Sequence, residues 1–97
     1  MRVVQRVEII TGQQEFPQVL TALESCGVTG YAVLRNVLGK GDKKVYSFDS
    51  ISGEVENLMI VTTIADDSLN KLVETLRPIL KRFGGSCLVS DAMWVIH

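Results

Sequence analysis

The run VENLMIVTTIA, residues 55 to 65, is apolar almost throughout and gives way at once to Asp66, Asp67 and Ser68. Leu69, Leu72, Val73, Leu76, Ile79, Leu80 and Phe83 then recur at helical spacing, so a strand feeds directly into an amphipathic helix. Such a helix needs a sheet face to cover its apolar stripe, and the chain must return to that sheet afterwards. The apolar density of 55–65 predicts a central strand buried on both faces along much of its length. Asp66, Asp67 and Ser68 are candidate N-caps at the positive end of the helix dipole. Lys81 and Arg82 suit the last turn and Gly84 the stop. Pro78 conflicts with this pattern: inside a helix it loses one hydrogen bond and clashes with the Glu74 carbonyl, which predicts a kink or an early end.

The same sequence of patterns occurs once before. VVQRVEII, residues 3 to 10, places Val3, Val7 and Ile9 at even spacing and reads as a half-buried strand. Phe16, Val19, Leu20 and Leu23 then mark one face of a helix. Pro17 belongs in its first turn, so the helix begins near Gln14, and Gly27 caps its far end. GYAVLRNVL (30 to 38) and SCLVSDAMWVIH (86 to 97) supply two further strands. The order β-α-β-β-α-β over one domain, residues 1–97, predicts an α+β ferredoxin-like plait: a four-stranded antiparallel sheet with two helices on one face. Leu58, Ile60, Leu88, Trp94 and Ile96 offer more apolar surface than a lone plait can cover, so association through the sheet is expected.

Ten basic and eleven acidic residues are mixed along the chain without a stripe of one sign, which gives no case for nucleic acid. No leader pattern and no run long enough to span a bilayer is visible, so a soluble, cytoplasmic chain without direct membrane insertion is expected. Cys26 and Cys87 are lone cysteines in apolar settings and read as buried reduced thiols. For catalysis the residues are poor. His97 is terminal, no serine or cysteine has a visible base, no metal-ligand spacing occurs, and Glu54 with Glu56 reads as a solvated strand edge. The chain is expected not to be an enzyme, and to need no metal or cofactor.

Binding remains. Glycines gather at Gly27 and Gly30, at Gly39 and Gly41, and at Gly84 and Gly85. Turns and helix caps account for Gly27 and Gly84. Glycine also lets backbone N–H groups approach an anion, and GKGDKK adds the lysines that would neutralise it.

GVTGYAVLRNVLGKG, residues 27 to 41, followed by a long loop within such a plait, resembles the PII signal-transduction superfamily. The likeness spans the chain in element order and is tightest at Gly27, Gly30, Val33, Gly39 and Gly41. Ala32 stands where a threonine is usual, Lys43 falls at or beside the usual loop-base glutamine, and Gly84-Gly85-Ser86-Cys87 replaces Gly-Asp-Gly-Lys. These departures make the chain similar to the PII-like branch, which includes members associated with bicarbonate transport and carboxysomes. The resemblance implies a homotrimer with an adenine nucleotide (AMP, ADP, ATP or cyclic AMP) in the cleft between subunits. It implies phosphate contacts from Gly39, Lys40, Gly41 and Lys43, backbone donors from Gly84, Gly85 and Ser86, and a base pocket shaped by Gly27, Gly30 and Tyr31. It also implies an effector arm, the T-loop at about residues 39–54, which presents Lys44, Tyr46, Phe48 and Ile51 to a target protein or membrane transporter. The same plait serves ACT-like and CutA-like ligand-binding modules without nucleotide chemistry, and the fold alone does not choose between them.

Overall fold

A computed structural model gives the fold and describes residues 1–37, 39–40, 45–46 and 56–97. Strand β1 spans Arg2–Gly12, helix α1 Phe16–Ser25, β2 Tyr31–Leu34, β3 Gly39–Lys40, β4 Val45–Tyr46, β5 Asn57–Ile64, helix α2 Leu69–Phe83 and β6 Ser86–Trp94. The main sheet has the order β2-β5-β1-β6 with every pair antiparallel, the expected ferredoxin-like plait. β3 and β4 form a separate two-stranded ladder inside the segment that reads from sequence as a loop.

Register assigns the faces. Val7 lies opposite Thr62 on β5 and Val89 on β6, and Ile9 opposite Ile60 and Cys87. Paired residues share a face, and alternate residues along a strand take the same side. Val7, Ile9, Ile60 and Ile64 are buried in one cluster with Val19, Ala22 and Leu23 of α1 and Leu72 and Leu76 of α2, so both helices cover that one face. Each fully buried leucine or isoleucine there stabilises the fold by about 1.5–3 kcal/mol. β5 is therefore fully buried on its helix side only. Met59, Val61 and Thr63, on the other side, are half-buried, which corrects the expectation of burial on both faces.

The opposite face of the sheet carries no helix. Leu88 is 62% exposed and Trp94 49%, whereas Leu58 and Ile60 point into the helix-covered core. Val4 also belongs to the open face yet is only 6% exposed. Trp94 explains it. The residue pairs with Arg2, while its indole Nε1–H donates to Thr63 Oγ1 at 3.2 Å, and Thr63 pairs with Arg6. An indole reaching from Arg2's level to Arg6's must cross Val4 between them.

The helix ends differ from the sequence reading in instructive ways. α1 starts at Phe16 rather than near Gln14, because residues 13–15 form a turn in which the Glu15 carboxylate accepts the Gly12 N–H at 3.1 Å. Its far end closes as expected on Gly27 at φ 87°, where the Val28 N–H returns to the Leu23 carbonyl and the Gly27 N–H to Glu24, a Schellman pair. Asp66 and Asp67 cap nothing with their side chains. They form a 3₁₀ turn, Asp66–Ser68, that leads into α2, where the Ser68 hydroxyl meets the Asp67 carboxylate instead of the backbone. Of the kink or early end expected at Pro78, the early end does not occur: α2 runs through Pro78 to Phe83. Pro78 and Glu74 are both exposed, so water can satisfy the carbonyl that the proline leaves unbonded. Cys26 and Cys87 are free thiols but half-buried, packed against the core rather than within it.

Gly27, Gly84 and Gly85 are compelled by this fold through their positive φ, and Gly30 is not. Gly85 has φ 122°, and a Cβ there would stand 2.5 Å from the Ile10 carbonyl oxygen. A Cβ on Gly30 would meet nothing within 4 Å, and its φ lies outside the glycine-only region, whereas Gly27 sits at φ 87°. Gly85→Ala is expected to lower unfolding free energy by roughly 2–3 kcal/mol in urea titration, while Gly30→Ala changes it by less than about 0.5 kcal/mol.

Candidate functional site

The residues singled out in the sequence fall at two ends of the sheet. At one end a half-open cavity of about 1040 Å³ lies beside the crossing from α1 to β2. Gly27, Val28, Thr29, Gly30 and Tyr31 form one wall, and Thr62 to Asp66 another. Arg2, Arg6 and Trp94 reach it from the open face of the sheet, where Arg6 is paired with Glu8 at 3.1 Å. A volume of this order is that of a small-molecule site.

Gly84 and Gly85 sit at the other end, around a hollow of about 20 Å³ shared with Gly12, Glu15 and Asn57. The segment between β2 and β5 leaves and rejoins the sheet here, since the Val37 N–H donates to the Asn57 carbonyl at 3.1 Å. Ser86 opens β6 opposite Ile10. Gly39 and Lys40 follow closely in the β3–β4 ladder, paired with Tyr46 and Val45. Gly41, Lys43, Lys44, Phe48 and Ile51 lie outside the described residues. β5 runs from Asn57 at this end to Ile64 at the cavity, so about 24 Å separates the two groups at 3.4 Å per residue. Within one chain Gly27, Gly30 and Tyr31 do not meet Gly84, Gly85 and Ser86.

An ion pair that sequence patterns do not reveal closes the base of the segment between β2 and β5. Arg35 Nη2 and Nε donate to the two oxygens of Glu56 at 2.9 and 3.2 Å, a bidentate bond between the strands entering and leaving the loop. Asn36 sits between them at φ 56°, a left-handed conformation that asparagine tolerates, and its N–H also donates to the Glu56 carboxylate. The Gln13 N–H takes the Glu56 carbonyl at 2.9 Å, tying the root to the turn after β1. Glu56 is thus not the solvated edge expected from sequence. Its side chain is only 12% exposed, because the guanidinium and the neighbouring strands cover it. Opposite charges on the two sides of a glycine-rich loop are the available cue. The hydrogen bonds from Arg35 hold the Glu56 carboxyl below the usual carboxylate range, while partial burial pushes the Cys87 thiol up. Among the described residues no three His, Cys, Asp or Glu side chains gather as metal ligands, and no helix is long and apolar enough to cross a membrane.

The sequence pattern of the family described as nitrogen regulatory protein P-II matches residues 4–96. The chain belongs to that family. Among solved structures it resembles CPII, a nitrogen regulatory PII-like protein from Thiomonas intermedia K12 solved with ADP, AMP and bicarbonate, at a TM-score of 0.81. Identity is 23%, over 93% of this chain and 86% of that one. It also resembles GlnK of B. subtilis in complex with ATP, at a TM-score of 0.65 and 23% identity, over 94% and 84% of the two chains. No curated protein matches the sequence. The family is one of regulators, and the fold follows its plan.

A depressed carboxyl stabilises the fold above its unfolded pKa, and that contribution is lost as pH falls through the folded value. Glu56→Gln is therefore expected to lower the thermal midpoint at pH 7, with the gap to wild type closing as pH drops below the ordinary carboxylate range. A gap that stays constant with pH would mean that the pair contributes nothing through its charge.

Proposed function

We propose that the chain is a PII-like signalling protein that assembles as a homotrimer and binds an adenine nucleotide between neighbouring chains. Residues 39–54 then act on a target protein or membrane transporter, in the cytoplasm. The observation that carries this reading is the placement of two incomplete sites at opposite ends of one sheet. Gly27, Gly30 and Tyr31 face a cavity large enough for a base and ribose. The double-glycine bend and the root leading to Gly39, Lys40, Gly41 and Lys43 supply backbone donors and cations suited to phosphate. A small ligand touches both only where the cavity end of one chain meets the loop-root end of another. The uncovered sheet face, with Leu34, Leu88 and Trp94 exposed, is the apolar surface through which chains associate. Family membership and the ADP, AMP and ATP held by CPII and GlnK support the choice of ligand.

Light scattering should give three times the 10.7 kDa chain mass, and Leu88→Asp, placing charge on the open face without disturbing the core, should give monomer. Calorimetry with AMP, ADP, ATP and cyclic AMP should show binding to the wild-type trimer. The double variant Lys40→Ala, Lys43→Ala should weaken that binding by about tenfold or more, a loss of at least about 1.4 kcal/mol. Binding that survives the double variant undiminished would favour a ligand-binding module of the ACT-like or CutA-like kind. Heat below detection with all four nucleotides would end the nucleotide reading.

A further inference from the structure

Thr62 is a hydroxyl-bearing residue in the middle of an apolar strand, and it is only 4% exposed. A buried hydroxyl needs a partner, and this one donates to the Gly30 carbonyl at 2.6 Å. Its pairing partner on β2 is Tyr31, so the bond crosses to the residue just before the strand begins. The crossing from α1 to β2 is thereby tied at both ends: Gly27 and Val28 return to α1 through the Schellman pair, and Gly30 is anchored to β5 by Thr62. The segment between those ties, Val28 to Gly30, is a wall of the large cavity.

β2 gives that wall little other support. It is four residues long, lies at the edge of the sheet and is exposed along its whole length. Gly30 is itself exposed, and open space extends at least 4 Å around the position a methyl group would take on it, so packing does not fix where it sits. Its carbonyl has two lone pairs. Thr62 uses one, which leaves the other for an N–H donor in the cavity. The amino group of adenine is such a donor, and the carbonyl that replaces it in inosine is not.

We propose that Thr62 is a positioning residue for base recognition: by holding the Gly30 carbonyl it sets the cavity wall so that an amino-bearing base is preferred. This rests on the nucleotide reading above and deepens it by assigning base preference to a residue that acts through the Gly30 carbonyl. Thr62→Val keeps the shape and burial of the side chain but removes the donor. The carbonyl it abandons is on an exposed residue and can take water instead, so stability changes little while the wall loses its anchor. Thr62→Ser keeps the donor.

The test is calorimetric titration of wild type, Thr62→Val and Thr62→Ser with AMP and with inosine monophosphate, alongside thermal melting. Thr62→Val should lose about tenfold in AMP affinity and most of its preference over the inosine form, with Thr62→Ser within about twofold of wild type. Unchanged AMP affinity and preference in Thr62→Val would overturn the proposal while leaving the nucleotide reading in place. So would equal losses in the valine and serine variants, which would assign the effect to the methyl group. Failure of wild type to bind either nucleotide would remove the nucleotide reading and this assignment together.

Discussion

β1 bears both ladders of the sheet's centre, and the parity of residues along it governs what the molecule becomes. Gln5, Val7, Ile9 and Thr11 face the helices, while Arg2, Val4, Arg6, Glu8 and Ile10 face the other way. A slip of one residue against β5 or β6 would send Val7 and Ile9 out of the core and bring Arg6 and Glu8 into it. The desolvation penalty for burying that ion pair, together with the lost burial of Val7 and Ile9, fixes the register more firmly than the ladder hydrogen bonds do. With the register fixed, the helices have one face to cover, the open face carries no helix, and the turns at each end of β5 fall where they are found.

Much of this is legible in the sequence because it depends on periodicity. The alternation in 3–10 and the helical spacing in 69–83 identify elements whose type is decided by which residues they bury. What periodicity does not convey is pairing between distant side chains. Arg35 and Glu56 are 21 residues apart, and nothing local distinguishes them from solvated charges, yet their bidentate contact closes the base of the segment between β2 and β5. Thr62 resembles any other β-branched strand residue, since its hydroxyl shows its partner only once Gly30, next to the paired Tyr31, is known to lie within reach. Pro78 misleads for the opposite reason: the rule against proline in helices assumes a carbonyl with nowhere to turn, and an exposed face provides water. The ends of elements, settled by single hydrogen bonds such as that from Gly12 to Glu15, are least predictable from pattern.

The glycines divide along similar lines. Gly27, Gly84 and Gly85 occupy positive φ, and Gly85 also passes close to the Ile10 carbonyl, so the turns of the plait require them whatever the protein binds. Gly30 has no such obligation. A motif read as a whole in sequence thus contains glycines that the backbone requires and one that it does not.

The 24 Å that separates the cavity from the double-glycine bend, at about 3.4 Å per residue of β5, also limits how chains would have to meet for one ligand to touch both. Such a pocket joins unlike surfaces, so either two chains meet antiparallel and form two pockets about a two-fold axis, or chains join head to tail until a ring closes. In a closed ring of this kind every chain serves two pockets, giving its cavity to one and its loop root to the next. Lesions at the two ends are then complementary, so two defective chains mixed in one ring rebuild an intact pocket wherever their sound ends adjoin.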